Sequence, residues 1–220
     1  MVSKVIKVKN VLIIGDSYST FEGYIPEGYE VFYKKGREDN DVSMVEETWW
    51  HQVISEMGTN LVLNNSWSGS TIGYTGYCGS DCSKTNSFIY RFDELIENGF
   101  FKDNIIDTVF IFGGTNDDWS EAPIGEPKYS DFKREDLYFV LPAISCLLCK
   151  VRETLPDAEI YCLINTDLKR EITECFKNAC QLYGIKSIAF DSIEKHDGHP
   201  TVKGMLDIKN QVMKEINSYK

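Results

Sequence analysis

At 220 residues, 42% hydrophobic and 26% charged, the chain is long enough for one well-buried domain, short for two, and too apolar for disorder. Its 23 basic and 34 acidic residues leave a formal charge of −11. That sets it against phosphate backbones and anionic lipid, so nucleic acid and membrane surfaces are not expected as general partners. No apolar run approaches a membrane span. The opening MVSKVIKVKN alternates apolar and charged residues, unlike the continuous apolar stretch of a secretory signal. The expectation is a single cytoplasmic domain over residues 1–220, with the oligomeric state left open.

In chain order, β-branched runs predict strands at 11–14, 61–64, 108–112, 159–164 and 186–190. Helical patterns lie between and after them, at 47–57, 86–98, 135–154, 168–183 and 201–218. Residues 81–86 offer caps for the second helix, and Leu155-Pro156 stops the third. Gly58 and Gly184 stand where helix C-terminal caps are expected. Strands alternating with helices imply a parallel sheet covered on both faces, and right-handed crossovers imply double winding. The expected fold is therefore α/β, a three-layer α/β/α sandwich with a five-stranded parallel sheet of the flavodoxin-like kind. Ligands in such sheets bind outside the carboxyl ends of the strands. Segments 20–46 and 117–131 look irregular, begin just past strand ends, and are expected to wall a site.

Seven cysteines, an odd number with several in apolar contexts, suggest free buried thiols. Cys78 and Cys82, in a Gly/Ser-rich loop, are the pair able to oxidise. Cys146-x-x-Cys149 has no second ligand pair, so no zinc site is expected.

The chemistry gathers at the strand ends. Gly15-Asp16-Ser17 follows the first strand, Asn65-Ser66-Trp67-Ser68-Gly69 the second, and Gly113-Gly114-Thr115-Asn116-Asp117 the third; Asp197-Gly198-His199-Pro200 precedes the last helix. A serine, a bare backbone amide, a carboxamide and an imidazole on one sheet edge are what acyl transfer needs. The imidazole takes the hydroxyl's proton, and fixed N–H donors meet the oxyanion of the tetrahedral intermediate. Each block alone has a plainer reading. Ser17 can cap a helix, Gly-Thr-Asn-Asp can be a turn, and Pro200 can open a helix. Asp16 and Asp117 are expected to brace turns, and His51 to be structural.

Taken in order, the GDS at Gly15–Ser17, the glycine at 69, the GTND at Gly114–Asp117 and the HP at His199-Pro200 resemble the SGNH (GDSL-type) hydrolases. That resemblance spans the chain. It implies a serine esterase or acylhydrolase with Ser17 as nucleophile, His199 as base, and Ser17, Gly69 and Asn116 as oxyanion hole. It implies no metal and no cofactor. It points to a small-molecule or carbohydrate ester as substrate, with acetyl groups on sugars as one case.

One block departs from the family, whose usual Asp-x-x-His would put the acid at position 196, here His196. The acid stays open between Asp197, Glu194 and Asp191, or is replaced by the carbonyl of residue 196 in a Ser–His dyad. Activity is expected to rise as the histidine becomes neutral, near its ordinary value of about 6.5. Four tryptophans, Trp49, Trp50, Trp67 and Trp119, can stack on sugar rings or fill cores. Two other functions remain: a catalytically silent glycan-binding relative, and a flavodoxin-like module with GDSYST as a phosphate or flavin loop.

Overall fold

In the computed structural model, which describes residues 8–218, five strands form a central sheet: β1 (Asn10–Gly15), β2 (Asn60–Ser66), β3 (Thr108–Phe112), β4 (Glu159–Ile164) and β5 (Lys186–Ala189). The opening segment up to residue 7 lies outside the described residues. The spatial order is β2-β1-β3-β4-β5, and every neighbouring pair is parallel. The helices are α1 (Trp49–Met57), α2 (Phe88–Glu97), α3 (Phe100–Asp103), α4 (Thr115–Trp119), α5 (Val140–Thr154), α6 (Arg170–Tyr183) and α7 (Val202–Ser218).

Side chains alternate across the strands and feed two apolar layers. Leu12, Ile14, Val109 and Ile111 pack toward Phe88, Leu147 and Phe176 of α2, α5 and α6. Val11, Ile13, Phe110 and Phe112 pack toward Trp49, Val53, Met205 and Ile208 of α1 and α7. Each fully buried side chain of this size contributes about 1.5–3 kcal/mol. An exposed ion pair contributes about 0–1 kcal/mol, so the two layers and not the surface charges hold the sandwich.

The chain leaves β1 toward β2 on one side, then crosses to β3 on the other, so the winding reverses at β1. Gly15 is level with Ser66 on one neighbour and with Phe112 on the other. The carboxyl ends of β1, β2 and β3 are thereby brought to one line, where a doubly wound sheet binds its ligand.

The predicted elements are all present, β3 and β4 with the expected ends and the others with shifted ones. The helix expected at 47–57 begins at Trp49, because Thr48 accepts the His51 N–H and caps it. Ser87, not residues 81–86, caps α2 through the Tyr90 N–H. The helix expected at 135–154 is two pieces, a 3-10 turn over Arg134–Tyr138 and then α5, parted at Phe139 where the backbone is extended. Gly58 and Gly184 do end α1 and α6 in the left-handed conformation. Sequence patterning gave no sign of α3, α4 or a two-stranded hairpin, β6 (Lys195–His196) with β7 (His199–Pro200). Each is too short to carry a periodicity.

Candidate active site

Ser17 is delivered by a strand that can only stop where it does. A side chain at Gly15 would put its Cβ 2.6 Å from Ser66 Oγ and 2.8 Å from Ser19. Asp16 then caps a single 3-10 turn, Ser17–Ser19, its Oδ1 accepting the Tyr18 N–H at 3.0 Å. The chain is extended again at Thr20. A phosphate loop would run on into a long helix whose N-terminal amides meet the anion, so the flavodoxin-like reading of GDSYST does not fit.

His199 comes from the β6–β7 hairpin. The two residues at its tip, Asp197 and Gly198, both have positive φ, 46° and 79°, as a type I′ hairpin turn requires. The Tyr18 hydroxyl donates to the Gly198 carbonyl and ties the hairpin to the serine turn. His199 Nε2 stands 3.0 Å from Ser17 Oγ, and Nδ1 lies 3.3 Å from the carbonyl oxygen of Asp197.

Among the described residues no carboxylate is bonded to that second nitrogen. As a turn residue Asp197 directs its carboxylate to solvent, 3.6 Å from His196 Nε2. At that second nitrogen the structure places a backbone carbonyl, the one of Asp197 rather than of residue 196. Glu194 is engaged elsewhere, at 2.8 Å from both Lys203 Nζ and Thr201 Oγ1. Asp191 lies before the hairpin, its N–H donating to Gln211. Burial pushes the His199 imidazole down to about 4, the Asp197 carbonyl opposing; Arg37 and Lys195 lower it and Asp39 raises it.

The expected oxyanion donors converge on the same edge. Gly69 has φ 79° and open space where a Cβ would be, a conformation that costs an L-residue roughly 1–2 kcal/mol. Its N–H meets no acceptor among the described residues. Asn116 lies in the first turn of α4 and is 3% exposed. Its Nδ2 donates to the Ser70 carbonyl at 3.0 Å and its Oδ1 accepts the Tyr77 hydroxyl at 2.8 Å. These two bonds fix the amide's orientation and leave its second N–H for another acceptor.

Two buried carboxyls and one buried guanidinium support these donors. Asp117 accepts from the Ile72 and Gly73 amides, 2.9 to 3.2 Å away, and so braces the chain beyond Gly69. Arg91 of α2 donates to the carbonyls of Asn65 and Gly15 and to the Asn65 and Ser70 side chains, joining β1, β2 and the Gly69 loop. Burial raises Asp16 to about 7 and Asp117 to about 6, and lowers Arg91 to about 10. Asp16 and Asp117 brace turns as the sequence suggested.

The sequence did not single out Phe32 or Arg37. Phe32 stacks on His199 with ring centroids 3.6 Å apart and planes 7° apart. Of the tryptophans, Trp49 and Trp50 are core, Trp67 stacks on Tyr29, and Trp119 is 45% exposed with its edge toward His199. Of the two segments expected to be irregular, 20–46 reaches the site through Phe32 and 117–131 through Trp119, which the structure places in α4 rather than in a loop. All seven cysteines are free, five of them buried; Cys78 is exposed and Cys82 buried.

The GDSL-like lipase/acylhydrolase family model matches residues 9–216. A Bacteroides ovatus protein of known structure, described as a GDSL-like lipase, is 41% identical; the match covers 96% of this chain and 99% of that one, with a TM-score of 0.88. A Bacteroides uniformis protein of the same description is 40% identical over 97% of each chain, again with a TM-score of 0.88. A family two carbohydrate esterase from Clostridium thermocellum, solved with cellohexaose, is 17% identical with a TM-score of 0.63, covering 96% of this chain and 64% of that one. At that identity the likeness is one of fold. No curated relative matches the sequence.

Proposed function

The chain belongs to the GDSL-like lipase/acylhydrolase family and is a hydrolytic esterase, and we propose that it works through an acyl-enzyme on Ser17 with His199 as the only general base. The observation that carries this reading is the 3.0 Å approach of His199 Nε2 to Ser17 Oγ. Ser17 Oγ attacks the ester carbonyl while Nε2 takes its proton. The oxyanion is met by the N–H groups of Ser17 and Gly69 and the free N–H of Asn116. His199 then returns the proton to the departing alkoxide and activates the water that clears the acyl group.

A third catalytic member normally fixes the tautomer and orientation of the imidazole. Here the Asp197 carbonyl accepts from Nδ1, which fixes the tautomer and leaves Nε2 free to accept a proton. The reading is therefore a Ser–His dyad without a side-chain acid. Its base is neutral above about 4, so the acid limb of kcat/KM is expected there, well below the ordinary histidine range.

The substrate we propose is a short acyl ester on a carbohydrate. Support comes from the exposed faces of Trp119 and Tyr77 beside the donors and from fold neighbours that include an acetyl xylan esterase. The test is hydrolysis of a short-chain p-nitrophenyl ester and of acetylated xylo-oligosaccharides by wild type and Ser17→Ala. Turnover that vanishes in the variant is expected with both. Equal rates would mean that another residue is the nucleophile, and turnover of the aryl ester alone would remove the carbohydrate assignment.

A further inference from the structure

A carboxylate does two things for a catalytic histidine: it fixes the tautomer and it holds the ring plane. The Asp197 carbonyl at 3.3 Å is longer than the usual N–H···O separation of about 2.9–3.0 Å and cannot by itself stop the ring from rocking about that bond. Something else has to set the plane.

We propose that Phe32 is the positioning residue for His199, holding the imidazole plane by stacking, and that Arg37 and Asp39 hold Phe32. This rests on the reading of His199 as base. The Phe32 and His199 rings are nearly parallel and in contact, 3.6 Å apart and tilted by 7°. The Arg37 guanidinium carbon lies 3.8 Å from the Phe32 centroid. Two groups that close to one ring must occupy opposite faces, so Phe32 is clamped between the imidazole and the guanidinium. Arg37 is itself fixed, Nη1 on the Phe32 carbonyl at 2.9 Å and Nη2 on Asp39 at 2.8 Å.

The same loop is fastened to both partners of the dyad. Thr20 Oγ1 donates to the Ser17 carbonyl at 3.0 Å and accepts the Phe32 N–H at 2.9 Å. Tyr33 and Asn40 both donate to the Pro200 carbonyl, one residue beyond His199. The segment 20–46 thus registers nucleophile and base against each other with Phe32 at the centre. During the reaction the imidazole becomes a cation, and an aromatic face attracts a cation. Asp39 offsets the Arg37 charge on the far side.

The groups facing His199 are known from every side. Ser17 and Tyr18 come from the 3-10 turn, Arg37 and Asp39 from the 20–46 loop, Trp119 from α4 and Lys195 from β6. The Asp197 carboxylate turns to His196. Losing Phe32 opens one imidazole face to water, which returns the base toward its ordinary titration range.

The experiment compares wild type, Phe32→Leu, Phe32→Tyr, Arg37→Met and His199→Ala on a short-chain p-nitrophenyl ester. It measures kcat, KM and the pH profile of kcat/KM, and follows the His199 imidazole by NMR. Phe32→Leu is expected to lower kcat by about 10- to 100-fold with KM within about twofold. Its acid limb should move up toward about 6.5. Phe32→Tyr restores both quantities, and Arg37→Met moves the limb upward because the cation behind the Phe32 ring is gone. The NMR titration reads the same shift in any variant that is too slow to assay. An unchanged kcat and limb in Phe32→Leu, with His199→Ala inert, would overturn this inference and leave the dyad standing. A kcat loss with an unmoved titration and no rescue by tyrosine would make Phe32 merely structural and would overturn it too. Wild-type turnover in His199→Ala would remove the base, and the inference with it.

Discussion

Asn116 is held from both ends, by Ser70 through Nδ2 and by Tyr77 through Oδ1, so its remaining N–H is aimed before substrate arrives. Preorganisation of that kind makes a donor valuable in the transition state. Asn116→Ala is expected to lower kcat by about 10²- to 10³-fold, roughly 3–4 kcal/mol, with a small change in KM. Steady-state kinetics on one ester decides it, and an equal rise in KM at constant kcat would assign Asn116 to ground-state binding instead. Ser17, Gly69 and Asn116 were legible as candidates because motif and strand end coincide for each, and His199 because its block stands just before the last helix. The sequence left the acid open, and the Asp197 carboxylate stays away from the imidazole for a local reason. Asp197-Gly198 between His196 and His199 is a hairpin turn pair, and that turn throws the carboxylate outward while presenting the carbonyl inward. The Asp-Gly dipeptide carried that signal. Nothing in the sequence marks Phe32 or Arg37, because each works through a contact across the fold.

The elements bring these residues together through a few buried polar links. Arg91 lies on α2 yet satisfies acceptors at the ends of β1 and β2 and in the Gly69 loop, and Asn86 besides. It is 1% exposed and forms no ion pair with a carboxylate among the described residues, so backbone and side-chain oxygens hold the cation. Arg91→Met fills similar space but strands those acceptors, and the expected loss is roughly 1–3 kcal/mol, the scale for leaving a buried acceptor unsatisfied. Urea unfolding checks it: the midpoint should fall with the slope unchanged. A shift under about 1 kcal/mol would mean that water replaces the guanidinium. The five long strands and five long helices were readable because each runs through enough residues to display its period. The hairpin and α4, which carry His199 and Asn116, are too short to do so. Sequence therefore indicated where the site lies better than how its walls are built.

Across the whole molecule the site carries a stability cost that varies with pH. Burial raises the Asp16 carboxyl from 3.8 to about 7, and its Oδ2 finds no partner among the described residues. A raised folded value means that the native state holds the proton more tightly than the unfolded chain. The group's contribution is then full below 3.8 and is lost as pH rises through about 7. Asp117 behaves likewise up to about 6. His199 runs the other way, its folded value depressed from 6.5 to about 4, so its contribution is lost as pH falls through that window. Comparing Asp16→Asn with wild type isolates the first term. The gap in Tm should move in favour of the variant from about pH 4 to pH 7 and stay constant above; a gap independent of pH would show that Asp16 does not titrate there.

The central claim is that esterolysis here runs on Ser17 and His199 with a main-chain carbonyl in place of an acid. The most direct measurement is kcat/KM for Asp197→Asn, a substitution that tolerates the positive φ and keeps the carbonyl. A Ser–His dyad gives a value within about twofold of wild type, whereas removing a true triad carboxylate lowers kcat by roughly 10⁴-fold. A loss on that larger scale would contradict the dyad and return Asp197 to the catalytic machinery.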